Sequence, residues 1–143
     1  MLDTGEPAPT FDLPNQNGES VALSDFADQY VVVYFYPRAD TPGCTTEACE
    51  FRDEWNRYEA AGVTVLGLSD DPVTDLADFA EKYDLPFDLL SDADGSVARA
   101  YDAYDDGVSR NTYVVGPEGT VVAAFEDVDP EGHADEVLAA ITE

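Results

Sequence analysis

The chain carries two cysteines, Cys44 and Cys49, and Thr41-Pro42-Gly43 stands immediately before the first. Threonine is a favoured N-cap and proline costs nothing at the first helical position, so these types predict a helix opening at Pro42. Cys44 is then its third residue, where a capping box would carry glutamate. A thiolate at that position accepts orphan backbone N–H groups and sits at the positive end of the helix dipole, which favours a nucleophilic sulfur at neutral pH. Along the helix, Cys44, Ala48, Phe51, Trp55 and Tyr58 fall on one apolar stripe, and Thr45, Cys49, Arg52 and Asn56 on a polar one. Cys44 faces the core or a pocket, and Cys49 faces elsewhere. Residues five apart on a helix have Cα atoms roughly 8.6 Å apart, beyond the ~7 Å that a disulfide spans. A bond between these cysteines therefore requires the first turns of the helix to unwind.

A thiolate in a chain with 32 acidic residues needs local positive charge, and among six basic residues Arg38, Arg52 and Arg110 are the candidates. Arg110, in Ser109-Arg110-Asn111-Thr112-Tyr113, opens a strand that could lie beside the one leading to Cys44 and aim its guanidinium at the sulfur. A surface arginine paired with any of the many carboxylates is the competing reading. A cysteine hydrolase would need a histidine base, and the single histidine, His133, reads as a solvated residue opening the last helix. Two cysteines and one distant histidine do not make a zinc ligand set. Asp92-Ala93-Asp94-Gly95 lacks the twelve-residue calcium loop with its closing glutamate. Neither a phosphate loop nor a dinucleotide fingerprint is present, so no metal or cofactor is expected.

The elements that must position these residues follow from periodicity. Phe11-Asp12-Leu13 and Ser20-Val21-Ala22-Leu23 flank Asn17-Gly18, a hairpin signal, and Ser24-Asp25-Phe26 begins a turn or short helix. Residues 31–36, a β-branched and aromatic run, read as a strand buried on both faces. A helix over 42–60 closes at Ala61-Gly62. A strand over 63–69 leads to a helix capped by Asp71-Pro72 that reaches Tyr83, with Leu76, Phe79, Ala80 and Tyr83 on one face. Then come a strand over 86–91, a short helix or turn over 96–104, and strands over 111–115 and 120–125 joined by Gly116-Pro117-Glu118-Gly119. A last helix starts near Pro130, with Ala134, Val137, Leu138 and Ile141 at helical spacing. This order predicts one domain over residues 1–143, an α/β fold whose mixed central sheet is flanked by helices and preceded by a hairpin. It is the thioredoxin-like layout, with Cys44 just outside the carboxyl end of the first core strand.

The totals bound the class. With 143 residues, 44% of them hydrophobic, the chain can bury one sizeable core, and no run approaches a membrane span. The start, Met1-Leu2-Asp3-Thr4-Gly5-Glu6-Pro7, has neither a basic region nor an apolar stretch, so the expected compartment is the cytoplasm. Two cysteines there point to chemistry or sensing rather than a structural staple. The net charge of -26 is spread along the chain and repels nucleic acid and anionic membranes. With a single lysine, Lys82, against five arginines, this composition suggests a halophile protein whose self-repulsion concentrated salt screens.

The segment Tyr34-Phe35-Tyr36-Pro37, followed by Thr41-Pro42-Gly43-Cys44-Thr45 and Cys49, resembles the peroxiredoxin family, and more narrowly its peroxiredoxin Q (bacterioferritin-comigratory protein) class. The Pro-x-x-x-Thr-x-x-Cys pattern of peroxiredoxins falls on Pro37, Thr41 and Cys44. The likeness extends over Val63-x-Val65-Leu66-Gly67-Leu68-Ser69, over Phe87-x-Leu89-Leu90-Ser91-Asp92, and over Arg110-x-Thr112-Tyr113-Val114-Val115. The resemblance implies a thiol peroxidase for hydrogen peroxide and organic hydroperoxides. In it, Cys44 is the peroxidatic cysteine, which becomes a sulfenic acid on attacking the peroxide. Thr41 and Arg110 hold the peroxide oxygens, and Pro37 shields the site from water. Cys49 resolves the sulfenic acid as an intramolecular disulfide, which thioredoxin or a similar dithiol reduces. A monomer is implied as well. Arg38 stands where the family pattern has lysine, and Tyr113 where it has phenylalanine. The alternatives are a thiol-disulfide carrier or peroxide-sensing redox protein on the same fold, and an acidic binding module. A carrier ordinarily presents Cys-x-x-Cys at the helix start.

Overall fold

A computed structural model describes residues 3–39, 41–104, 107–126, 128–129 and 131–142 of the chain; Asp40 and Pro130 lie outside them. The continuous apolar run of the sequence forms β3, Tyr30–Phe35, at the middle of a five-stranded sheet. On one side β4, Val63–Ser69, and then β5, Asp88–Ser91, pair parallel to it. On the other, β6, Thr112–Val115, and then β7, Val121–Phe125, pair antiparallel, giving the order β5-β4-β3-β6-β7. The N-terminal strands β1, Asp12–Pro14, and β2, Ser20–Ala22, form a separate hairpin, with Gly18 left-handed in its turn. This is the thioredoxin-like α/β fold that the element order predicts.

Successive residues of β3 point to opposite faces, and both faces are covered. Val31, Val33 and Phe35 pack with Phe11, Tyr101, Tyr113 and the short α4, Ser96–Ala100. Val32, Tyr34 and Tyr36 face four helices: α1, Pro42–Asp53; α2, Trp55–Ala60; α3, Val73–Tyr83; and α5, His133–Thr142. Gly67 lies opposite Tyr34 in the β3–β4 register, where a Cβ would stand 2.8 Å from the phenol's Cζ and Oη. The large ring under α1 thus depends on a glycine in the next strand.

Beyond shifts of a few residues at the ends of short elements, three features differ from the sequence expectation. The single helix over 42–60 is two, interrupted at Glu54 (φ -94°, ψ 3°). The halves are tied to different partners: Arg52 Nη1 donates to the Tyr83 carbonyl at the end of α3, while Tyr58 Oη donates to the Ala134 carbonyl at the start of α5. Asp71 does not cap α3, whose N-cap is Pro72; its carboxylate turns inward to accept from Ser69 Oγ and from Ala39 N–H. The last helix begins at His133, because Gly132 before it is left-handed (φ +79°) and gives its N–H to Glu50 Oε1. Among the described residues, no helix is long and apolar enough to cross a membrane.

Candidate active site

Cys44 is the third residue of α1 and is 1% exposed, its sulfur turned into the core between β3 and the helices. Thr41 has the extended backbone of an N-cap, and its carbonyl accepts from Thr45 N–H at 2.8 Å. Its hydroxyl does not cap the helix; it donates to the Arg38 carbonyl at 2.9 Å and so folds the loop before α1 back on itself. Asp71 holds the other side of that loop, accepting from Ala39 N–H at 2.7 Å. Pro37 follows the buried Tyr36 and is exposed. Cys49 is half-buried on the same helix, and both cysteines are free thiols. Burial raises the Cys49 thiol's pKa, and Arg52 opposes the shift.

Of the three arginines, Arg110 is the one at the sulfur. Residue 111 pairs with β3 through its carbonyl, which accepts from Phe35 N–H, and this brings the preceding side chain across the strand end. Arg110 Nη2 lies 3.3 Å from Cys44 Sγ, and Nη1 donates to Glu47 Oε1 at 3.1 Å. Arg52 is engaged with Asp53 and the Tyr83 carbonyl, and Arg38 lines a separate cleft with Asp71, Asp75, Asp78 and Lys82.

The sequence reading leaves two residues of this neighbourhood, Glu47 and His133, out of the site. Glu47 is fully buried one turn after Cys44; burial pushes its carboxyl up to about 7 against the pull of Arg110. Its position three residues on, on the same helix face, was a usable signal. His133 is not a solvated turn residue. It is 2% exposed, with Nε2 at 2.8 Å from Thr112 Oγ1, Nδ1 at 3.3 Å from Glu136 Oε1, and Nε2 at 4.0 Å from Glu47 Oε2. Burial holds its pKa below the ordinary histidine value, and Glu136 opposes that. Nothing local in the sequence pairs His133 with Thr112, since only the packing of α5 on β6 joins them. Together these residues make a desolvated sulfur at a helix start, with a fixed cation beside it: the layout for a nucleophilic thiolate whose attack releases an anion.

The AhpC/TSA family matches residues 4–124. A putative peroxiredoxin bcp of Coxiella burnetii is 42% identical over 149 residues, covering 98% of this chain and 99% of that one. Peroxiredoxin Bcp of Escherichia coli is 42% identical over 146 residues, covering 96% and 94%. Among solved structures, peroxidoxin BcpB of Mycobacterium tuberculosis superposes with a TM-score of 0.94 at 36% identity, over 99% and 97% of the two chains. The Xanthomonas campestris bacterioferritin comigratory protein, described for its alkyl peroxide reduction activity, superposes with a TM-score of 0.93 at 36% identity, over 97% of each.

Proposed function

Since the chain belongs to the AhpC/TSA family and, within it, to the Bcp/PrxQ peroxiredoxins, which are thiol peroxidases, we propose that Cys44 is its peroxidatic cysteine and Cys49 its resolving one. The substrates are hydrogen peroxide and organic hydroperoxides. The Cys44 thiolate attacks the terminal peroxide oxygen; the O–O bond breaks, sulfur becomes a sulfenic acid, and the alkoxide or hydroxide leaves and takes a proton from water. Arg110 stabilises the charge passing from sulfur to leaving group, Thr41 orients the peroxide, and Pro37 limits water at the sulfur. The Cys49 thiolate then displaces hydroxide from the sulfenic acid after the first turns of α1 unwind. A thioredoxin-like dithiol reduces the resulting disulfide. The observation that carries this reading is the buried Cys44 Sγ 3.3 Å from the Arg110 guanidinium.

The protein acts as a cytoplasmic monomer of one domain, and its charge of -26 fits a halophile origin. The test is a single turnover in molar salt: reduced protein meets one equivalent of hydrogen peroxide, thiols are alkylated, and masses are read over time. Rapid peroxide loss with a Cys44–Cys49 disulfide is expected. Cys44→Ser abolishes both, and Cys49→Ser leaves the sulfenic acid standing. If both thiols survive the peroxide, the peroxidatic assignment falls and disulfide exchange or binding replaces it.

A further inference from the structure

Behind Arg110, on the side away from the sulfur, lies a buried acid–base pair that the peroxidase steps do not use. Glu47 Oε1 is bonded to Arg110, but Oε2 is enclosed without a hydrogen-bond partner among the described residues. His133 Nε2, 4.0 Å away, faces it. The imidazole is held edge-on by Phe51 and Phe125, at 89° and 82°, so that one nitrogen points to Thr112 and Glu47 and the other to Glu136. Glu136 is exposed, and with His133 it lines a cavity of about 350 Å³ between β7 and α5. Arg110, Glu47, His133 and Glu136 thus run in sequence from Cys44 to that cavity.

We propose that His133 is a positioning residue for the peroxidase reaction: fixed by Thr112, it faces the Glu47 carboxyl that orients Arg110 on Cys44, and it exchanges that carboxyl's proton with solvent at Glu136. This role presupposes the peroxidase reading of Cys44. A carboxylate accepts and cannot donate, so the Nδ1–H of neutral His133 donates to Glu136 and Nε2 accepts from the Thr112 hydroxyl. One further proton then has two resting places, Glu47 Oε2 and His133 Nε2. With that proton on Glu47 the carboxyl is neutral, and Arg110 directs its charge to the sulfur. With it absent Glu47 is an anion, and Arg110 is divided between carboxylate and thiolate. Among the described residues, the charged groups facing the pair are Cys44, Glu47 and Glu50 from α1, Arg110 from the segment before β6, and Glu136 from α5. Glu126, Asp129 and Glu131 line the cavity beyond.

His133 is the only histidine, so one imidazole resonance in a labelled sample reports it without assignment. In the reduced protein, titrated across about pH 5–8, that resonance is expected to follow the ionisation of Glu47, and Glu47→Gln should remove the inflection. In parallel, stopped-flow peroxide kinetics on His133→Gln, which keeps a partner for Thr112 but cannot take a charge, should lose the matching inflection in the rate–pH profile. The rate constant should fall by about 10- to 100-fold, the scale of a misplaced catalytic group. A merely structural histidine would change the rate and leave the profile's shape alone. The proposal is overturned if the imidazole titrates identically in wild type and Glu47→Gln, or if His133→Gln keeps the wild-type profile. If the wild-type protein shows no Cys44-dependent peroxide loss, the peroxidase reading has failed and takes this one with it.

Discussion

Arg110 stands between two buried potential anions, Cys44 and Glu47. Removing the guanidinium would therefore do two separable things. In Arg110→Met, Glu47 keeps its burial and loses its counter-charge; the cost grows with pH, towards the ~3–5 kcal/mol of a broken buried pair, as the carboxyl must either hold its proton or ionise unpaired. The double variant Arg110→Met/Glu47→Gln should regain most of that stability in urea unfolding, yet remain as slow towards peroxide as the single variant. Recovery of rate in the double variant would remove Arg110 from the chemistry. The same carboxyl sets a pH dependence. Its folded pKa, about 7, lies above the ordinary 4.5, so between those values the native state keeps a proton that the unfolded chain has released. Glu47's contribution to stability is full below the lower value and declines as pH rises through the upper one. His133, with its depressed pKa, has the opposite sign: its contribution is lost as pH falls below the ordinary histidine range. Relative to wild type, Glu47→Gln should gain stability with rising pH, by on the order of 3 kcal/mol across the Glu47 window. An unfolding-difference curve flat with pH would contradict it.

At the scale of elements, α1 carries both cysteines in one unbroken run, and its restraints are unevenly placed. Glu50 holds Gly132 N–H, Arg52 holds the Tyr83 carbonyl, and Tyr58 in α2 holds the Ala134 carbonyl. Before Glu50 the side-chain ties to distant residues, among those described, both run to Arg110, from Cys44 and from Glu47. Unwinding from the N-terminal end as far as Cys49 therefore leaves the later anchors intact. In hydrogen exchange, forming the Cys44–Cys49 disulfide should release protection over residues 43–49 and spare 57–60; uniform protection in both redox states would rule out the unwinding step. Beneath α1, Gly67→Ala would drive a Cβ into the Tyr34 ring, with an expected loss of about 1–3 kcal/mol in urea unfolding. A loss below about 0.5 kcal/mol, the size of an ordinary surface substitution, would show that the ring can move aside. The start of α1 was legible because Thr41-Pro42 is a local signal, and β3 because its apolar run has no competing periodicity. The break at Glu54 and the delayed start of α5 were not legible. Both are set by partners distant in sequence: Tyr83, Ala134 and Glu50.

For the whole molecule, the alternation of strands and helices was enough to read the fold class, since parallel strands need crossover helices and the late hairpin must add antiparallel ones. The Cys44–Arg110 meeting was legible as a possibility, because both stand at strand ends. The Glu47–His133 layer was not, because it needs the packing of α5 against α1 and β6. Charge acts at this largest scale. A chain of 143 residues has a radius of gyration of about 14–15 Å, while the screening length is about 10 Å at 0.1 M salt and about 3 Å at 1 M. In dilute salt, then, most of the -26 charge is felt across the molecule; in molar salt only neighbouring carboxylates interact. The pair of half-buried Arg110 and fully buried Glu47 is screened much less. Stability and chemistry should consequently respond differently. The melting temperature should climb steeply as KCl rises into the molar range, more than with an uncharged osmolyte. The rate constant for hydrogen peroxide, a neutral substrate that charge does not steer, should change far less once the protein is folded. A melting temperature flat in KCl would end the halophile reading. A rate constant that tracks salt as strongly as stability does would mean that the sulfur senses the surface charge, and that the half-buried arginine does not insulate it.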